Sequence, residues 1–137
     1  MQIASEANVI EKLTKIISPL INFLFPEMRN NLQIKKEISM NMVANILGLG
    51  NAATPLGLKA MQSMQEENQT KEELSNSMML FIVINTASIQ LIPTTVIAIR
   101  NSFKSENPTS IVFPVWIATI FAAVAGITTC KLIMRKK

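Results

Sequence analysis

The 137-residue chain has no histidine and no tyrosine, one cysteine and one tryptophan, and only 16% of it is charged. Each shortage excludes something. Without histidine the usual general base, the commonest metal ligand and every His-dependent triad are gone. The lone Cys130 can form neither an internal disulfide nor a thiolate cage, and at the end of an apolar run it reads as small packing filler. With Trp116 as the single large amphipathic ring, little material is left for an aromatic belt. Glu66, Glu67, Glu72 and Glu73 fall in a polar turn, and no acid lies inside an apolar run where burial could tune it. An enzyme is therefore not expected, nor a metal or cofactor. The formal charge is +4, but the basic residues are scattered along the flanks of apolar runs, and Lys131, Arg135, Lys136 and Lys137 directly follow one. That pattern fits a juxtamembrane anchor on anionic lipid and not a nucleic-acid surface. Residues 1–18 are amphipathic and do not have the layout of a signal peptide.

What the chain does have is three runs free of ionisable residues, at 38–58, 78–99 and 111–130, of 21, 22 and 20 residues. As helices these are roughly 30 Å long, the thickness of a bilayer core. They predict an all-α fold: a polytopic integral membrane helical bundle, multi-pass in the cell membrane. Ahead of them, Ile10, Leu13, Ile17, Leu20 and Leu24 recur at helical spacing, with Val9, Ile16 and Phe23 beside them and Glu11, Lys12 and Lys15 opposite. This predicts an N-terminal amphipathic helix, bent at Pro19, lying along the headgroups or capping the bundle. The expected division is 1–31 for that helix and its connection, and 32–135 for a membrane domain. The domain comprises a broken segment (34–67), a helix over 71–100 and a helix over 108–134.

The break lies in residues 45–61, NILGLGNAATPLGLKAM. Gly48-Leu49-Gly50 should open the helix, and Thr54-Pro55 has the form of a cap and first helical residue restarting it. Thr70-Lys71-Glu72-Glu73 reads as a capping box for the next helix, whose apolar part carries Asn85, Thr86, Ser88 and Gln90. Pro93 then frees the carbonyl of Ile89 and predicts a kink or a second unwound point. Opened backbone within a bilayer is tolerated only where protein or a wet cavity covers it.

Topology follows from counting Lys and Arg. Three simple crossings divide them 7 against 6, whereas a re-entrant 38–58 divides them 11 against 2 and puts both the N-terminal helix and the tail in the cytoplasm. A re-entrant 78–99 gives 9 against 4, which charge alone does not exclude.

Asn45, Gly48, Gly50, Asn51, Thr54 and Pro55 in one interrupted segment, and Asn85, Gln90, Pro93 and Thr94 in the other, form the candidate ligand-binding or gating set. Paired interrupted segments are the best sequence pointer to a transporter site, and amides, which donate and accept, suit a neutral polar solute such as a nucleoside or sugar. The same two segments also carry Asn41 and Ser88, and the other reading is that the Asn and Gln amides only hold helices together. Gly48 to Ala53 also matches G-x-G-x-x-A, but no βαβ unit can be laid around it.

The segments EKLTKIISPLINFLFPEM, MNMVANILGLGNAATPLGLKAM, FIVINTASIQLIPTTVIAIR and NPTSIV resemble the spore maturation protein A family, which carries a nucleoside-recognition or gate domain. The resemblance covers about residues 5–130 and is most specific in GLGNAATPLGLKAM and LIPTTVIAIR. It implies a polytopic membrane protein acting in dehydration of the spore core, with spore maturation protein B or a homo-oligomer as partner and a small polar solute as cargo. The alternative it leaves is a non-transporting scaffold for other spore membrane proteins. Family members also look longer at the N-terminus, so the chain is expected to be a truncated form.

Overall fold

The computed structural model describes residues 2–28 and 30–135, the side chains of 2–11 and 13 excepted. Among the described residues there are six α-helices and no strand: α1 (Gln2–Leu24), α2 (Leu32–Ile46), α3 (Gly50–Glu67), α4 (Asn76–Ala87), α5 (Thr94–Ser102) and α6 (Val112–Met134). Short 3-10 turns, Pro26–Met28 and Pro108–Ile111, precede α2 and α6.

α1 runs through Pro19 and packs on α2. Its buried row is Ile17, Ile21 and Leu24, while Ile16, Leu20 and Phe23 are exposed. The expected stripe through Leu20 is thus corrected, because a row at i, i+4 and i+7 stays on one face where the i+3 step to Leu20 drifts off it. The expectations for Val9, Ile10, Glu11 and Leu13 lie outside the described side chains, as do those for Arg29, Lys136 and Lys137.

α2 and α3 form an antiparallel hairpin. Asn31 caps α2 by accepting from the Ile34 amide at 3.0 Å and also donates to Glu67 at the end of α3. Further along, Lys59 reaches Glu37, and Asn41 reaches Ala53. The turn closes as a Schellman motif: the Leu49 amide donates to Ala44 O and the Gly48 amide to Asn45 O, both at 2.9 Å, with Gly48 at φ +71°. The interruption therefore centres on Gly48. Gly50 already belongs to α3, and Thr54-Pro55 is no cap: Pro55 lies within the helix, and the Thr54 hydroxyl donates to Gly50 O at 3.2 Å. The carbonyl that Pro55 leaves unbonded belongs to Asn51, which is exposed and open to other donors.

The core lies between this hairpin, the end of α1 and α4, where Ile21, Phe25, Ile34, Ile38, Met64, Leu80 and Phe81 are almost fully buried. Phe25 and Phe81 meet edge-on, with centroids 6.4 Å apart. At the hairpin's outer end the buried Glu37 accepts from Gln33 at 2.7 Å and lies 3.6 Å from the Lys59 ammonium. Burial alone would raise its pKa, but hydrogen bonds with Ser63 and Gln33 and the charge of Lys59 outweigh burial and hold it below 4.5. With the folded value beneath the unfolded one, the carboxylate stabilises the hairpin above pH 4.5, and this is lost as the pH falls through the folded value. As the pH is lowered from 4.5, melting of the purified protein should therefore depend less on pH in Glu37→Gln than in the wild type.

The helix expected over 71–100 is two helices. α4 starts late because Ser75, not Thr70, caps it, accepting from Met78 N at 3.2 Å. Residues 68–74 close the end of α3 instead: Lys71 donates to Gln65 O and Glu66 O, and Asn68 to Thr70 O and Glu73 O. α4 then stops at Ala87, with Ser88 left-handed at φ 48°, and α5 begins after Pro93.

Pro108–Met134, including α6, is the one stretch among the described residues long and apolar enough to cross a membrane: it is 27 residues long, and the mean hydropathy of its most apolar window is 2.2. Only 6% of its most apolar window is buried, so unlike a core helix it turns Phe113, Ile117, Phe121 and Val124 outward. It leans on α4 at Gly126, where an added Cβ would sit 2.9 Å from Val83 Cγ1.

Candidate functional site

The two breaks meet. The Leu91 amide donates to Ile46 O at 2.8 Å, and the Thr94 hydroxyl donates to Gly48 O at 2.8 Å, so the irregular backbone of each segment satisfies the other. Trp116 of α6 donates its indole N–H to Leu91 O at 2.7 Å, tying the junction to the third element. Pro93 is buried there, and the carbonyl of Ile92 comes so near Gly48 that a Cβ would be 2.1 Å from it. This mutual pairing is how helix interruptions survive away from water.

Beside the junction lies a cavity of about 430 Å³ between α2, α3 and α4. Asn45, Gly50, Thr54, Asn85 and Gln90 of the expected set line it. Gly48, Pro93 and Thr94 belong to the junction, and Asn51 and Pro55 are exposed outside both. The polar wall is a chain of amides. Asn45 Nδ2 donates to Asn85 Oδ1 at 2.8 Å and lies 3.5 Å from Asn41 Oδ1. Asn41 Nδ2 donates to Ala53 O, and Asn85 Nδ2 to Phe81 O, both at 2.9 Å. Phe81, Ile82, Leu58 and Met61 supply the apolar part, and among the described residues no ionisable side chain lines the cavity.

Sequence reasoning left Asn41, Gly57, Thr86 and Ser88 out of the candidate set. Asn41 carries the most weight of these, being 1% exposed and bridging both arms of the hairpin. Its signal was an amide one helical turn before Asn45, on the same face. Gly57 makes room for it, since a Cβ there would lie 2.9 Å from Asn41 Nδ2. Among the described residues, no group of three or more His, Cys, Asp or Glu is arranged to hold a metal ion.

These features define a class: an all-helical chain with one outward-facing helix of membrane-crossing length and an uncharged polar cavity where two broken segments cross. A curated protein resembles the chain in sequence. The chain is 42% identical over 127 residues to spore maturation protein A of Bacillus subtilis (strain 168), an alignment that takes in 93% of this chain and 65% of that protein's length. No protein-family profile matches the chain. No solved structure matches it either.

Proposed function

We propose that the protein acts in spore maturation as an integral membrane protein whose crossed breaks form a gate-type site for a neutral polar solute. The name of its relative supports the setting. The observation that carries the site is the Asn45–Asn85 bond, which links the hairpin to α4 at the wall of a cavity free of charge. In this reading α2 and α3 dip into the bilayer as a re-entrant hairpin. The broken α4–α5 segment and α6 cross, which leaves 11 of the 13 basic residues on the cytoplasmic side with the tail. Breaks that satisfy one another can part and re-form, and such a junction is where a gate is built. Spore maturation protein B or a second copy of the chain is the partner in this proposal.

The competing reading is a scaffold in which the amides only join helices, and the fact that most of the amides bond one another favours it. Leucine at Asn45 or at Asn85 separates the two. Asn51 is unsuited to the test because it is exposed away from the cavity. A solute site predicts variants that are less stable but still reach the membrane, while their spores stay wet and poorly refractile. Loss of the protein or its membrane complex before any hydration defect would defeat the proposal.

A further inference from the structure

The hydrogens and lone pairs around the cavity are unequally used. Asn45 directs its amide hydrogens at Asn85 and Asn41, so its Oδ1 is what remains for the cavity. The hydroxyl hydrogens of Thr54 and Thr86 go to carbonyls one turn back, Gly50 O and Ile82 O, leaving lone pairs. Gln90 donates one hydrogen to Ser88 Oγ at 3.1 Å, which leaves its Oε1 together with its second hydrogen and the Ser88 hydroxyl hydrogen. Asn41 and Asn85 each donate one hydrogen to a backbone carbonyl and keep a second, so four side-chain hydrogens stand against a larger number of unused lone pairs. The unspent capacity of the polar wall is therefore mostly acceptor. A cation would fit that wall less well than it suggests. No carboxylate lines the cavity, and the α3 N-terminus at Gly50, which has no side-chain cap, adds partial positive charge. Opposite the polar wall, Phe81, Ile82 and Met61 offer a face for C–H groups.

From this bookkeeping we infer that the cavity selects an uncharged solute that approaches with several O–H or N–H donors on one edge and C–H groups on the other, the pattern of a polyhydroxylated ring. The inference rests on the reading of the cavity as a solute site and names the class of solute.

The test uses the full chain purified in detergent, with melting shifts and equilibrium binding read for three kinds of probe. These are uncharged polyols (myo-inositol, sorbitol, glycerol), their fully O-methylated counterparts, which keep the acceptors and lose the donors, and ethanolammonium, which brings donors with a charge. The polyols should bind at least tenfold more tightly than either comparison set, since a site built for donors rejects analogues lacking them. Gln90→Leu, in the break, should weaken polyol binding about tenfold without lowering the melting temperature. If Gln90→Leu fails to fold, Thr86→Val, which removes one acceptor from an exposed turn, serves instead. Methylated or cationic probes binding as well as the polyols would overturn the solute class and leave the site standing. Failure of every probe to bind would overturn both.

Discussion

Replacing Gly48 by alanine should cost about 3–5 kcal/mol and leave little folded protein, whereas the same change at Gly50 should be neutral or slightly stabilising. Two penalties fall together at Gly48. Its φ of +71° is left-handed, which a residue with a Cβ enters at a cost of about 1–2 kcal/mol. The new methyl would also lie 2.1 Å from Ile92 O, and that atom is main chain, so it cannot swing aside as a side chain would. Relief requires moving the second break away from the first, which pulls Leu91 off Ile46 and Thr94 off Gly48. Each bond so lost adds about 1 kcal/mol, and more where water does not replace it. At Gly50 nothing lies within 4 Å of the added atom and the residue is helical. Unfolding in detergent, with the steady-state level in cells as a second reading, checks the pair. Equal stabilities for the two variants would show that the crossing of the breaks does not hold this fold together.

The contrast also marks how far the sequence could be read. Two glycines a residue apart looked like one device, and composition alone could not divide the work between them. The existence of a break was legible, because a glycine between short apolar stretches free of charge has few other uses. Its register was not, since Thr54-Pro55 carries the chemistry of a helix start and the actual start at Gly50 has no side-chain cap. α4 misled in the same way: a capping box was present, but Lys71 was drawn to the open carbonyls of α3, Asn68 to those of Thr70 and Glu73, and Ser75 took the cap. Local signals competed for the same backbone groups, and tertiary neighbours decided which won.

For the candidate site, the residues singled out inside apolar runs include five, Asn45, Gly50, Thr54, Asn85 and Gln90, that the fold brings to one cavity. Asn45 and Asn85 could be picked out because an amide in such a run must bond something. That they bond each other across 40 positions depends on where α4 packs against the hairpin, which no local pattern records. Pro93 and Thr94 likewise marked a second break without revealing that its partner is Gly48. Asn51 was misplaced for the opposite reason: once α3 starts at Gly50 the residue stands exposed on the first turn, outside the cavity wall.

Asn41→Leu should destabilise the protein by about 2 kcal/mol, against less than about 0.5 kcal/mol in either direction for Asn51→Leu. Leucine keeps the heavy-atom count and the branch at Cγ, but its methyls are bulkier than the amide, so some crowding beside Gly57 adds to the lost hydrogen bonds. Asn41 is 1% exposed, and its amide donates to Ala53 O on the facing arm while its oxygen lies 3.5 Å from Asn45 Nδ2. Removing it strips Asn45 of a neighbour and the hairpin of its buried polar cross-link. Ala53 O lies within α3, so the orphaned group is mainly the amide of Asn45, and this keeps the cost near 2 rather than 4 kcal/mol. Freed from Asn41, that amide can turn one hydrogen toward the cavity, so the variant should also bind O-methylated polyols relatively better than the wild type does. A hairpin that melts as before in Asn41→Leu would mean that apolar packing and the outer links, Asn31–Glu67 and Lys59–Glu37, join α2 and α3 without this bridge. The amide wall would then owe its geometry to something other than this bridge.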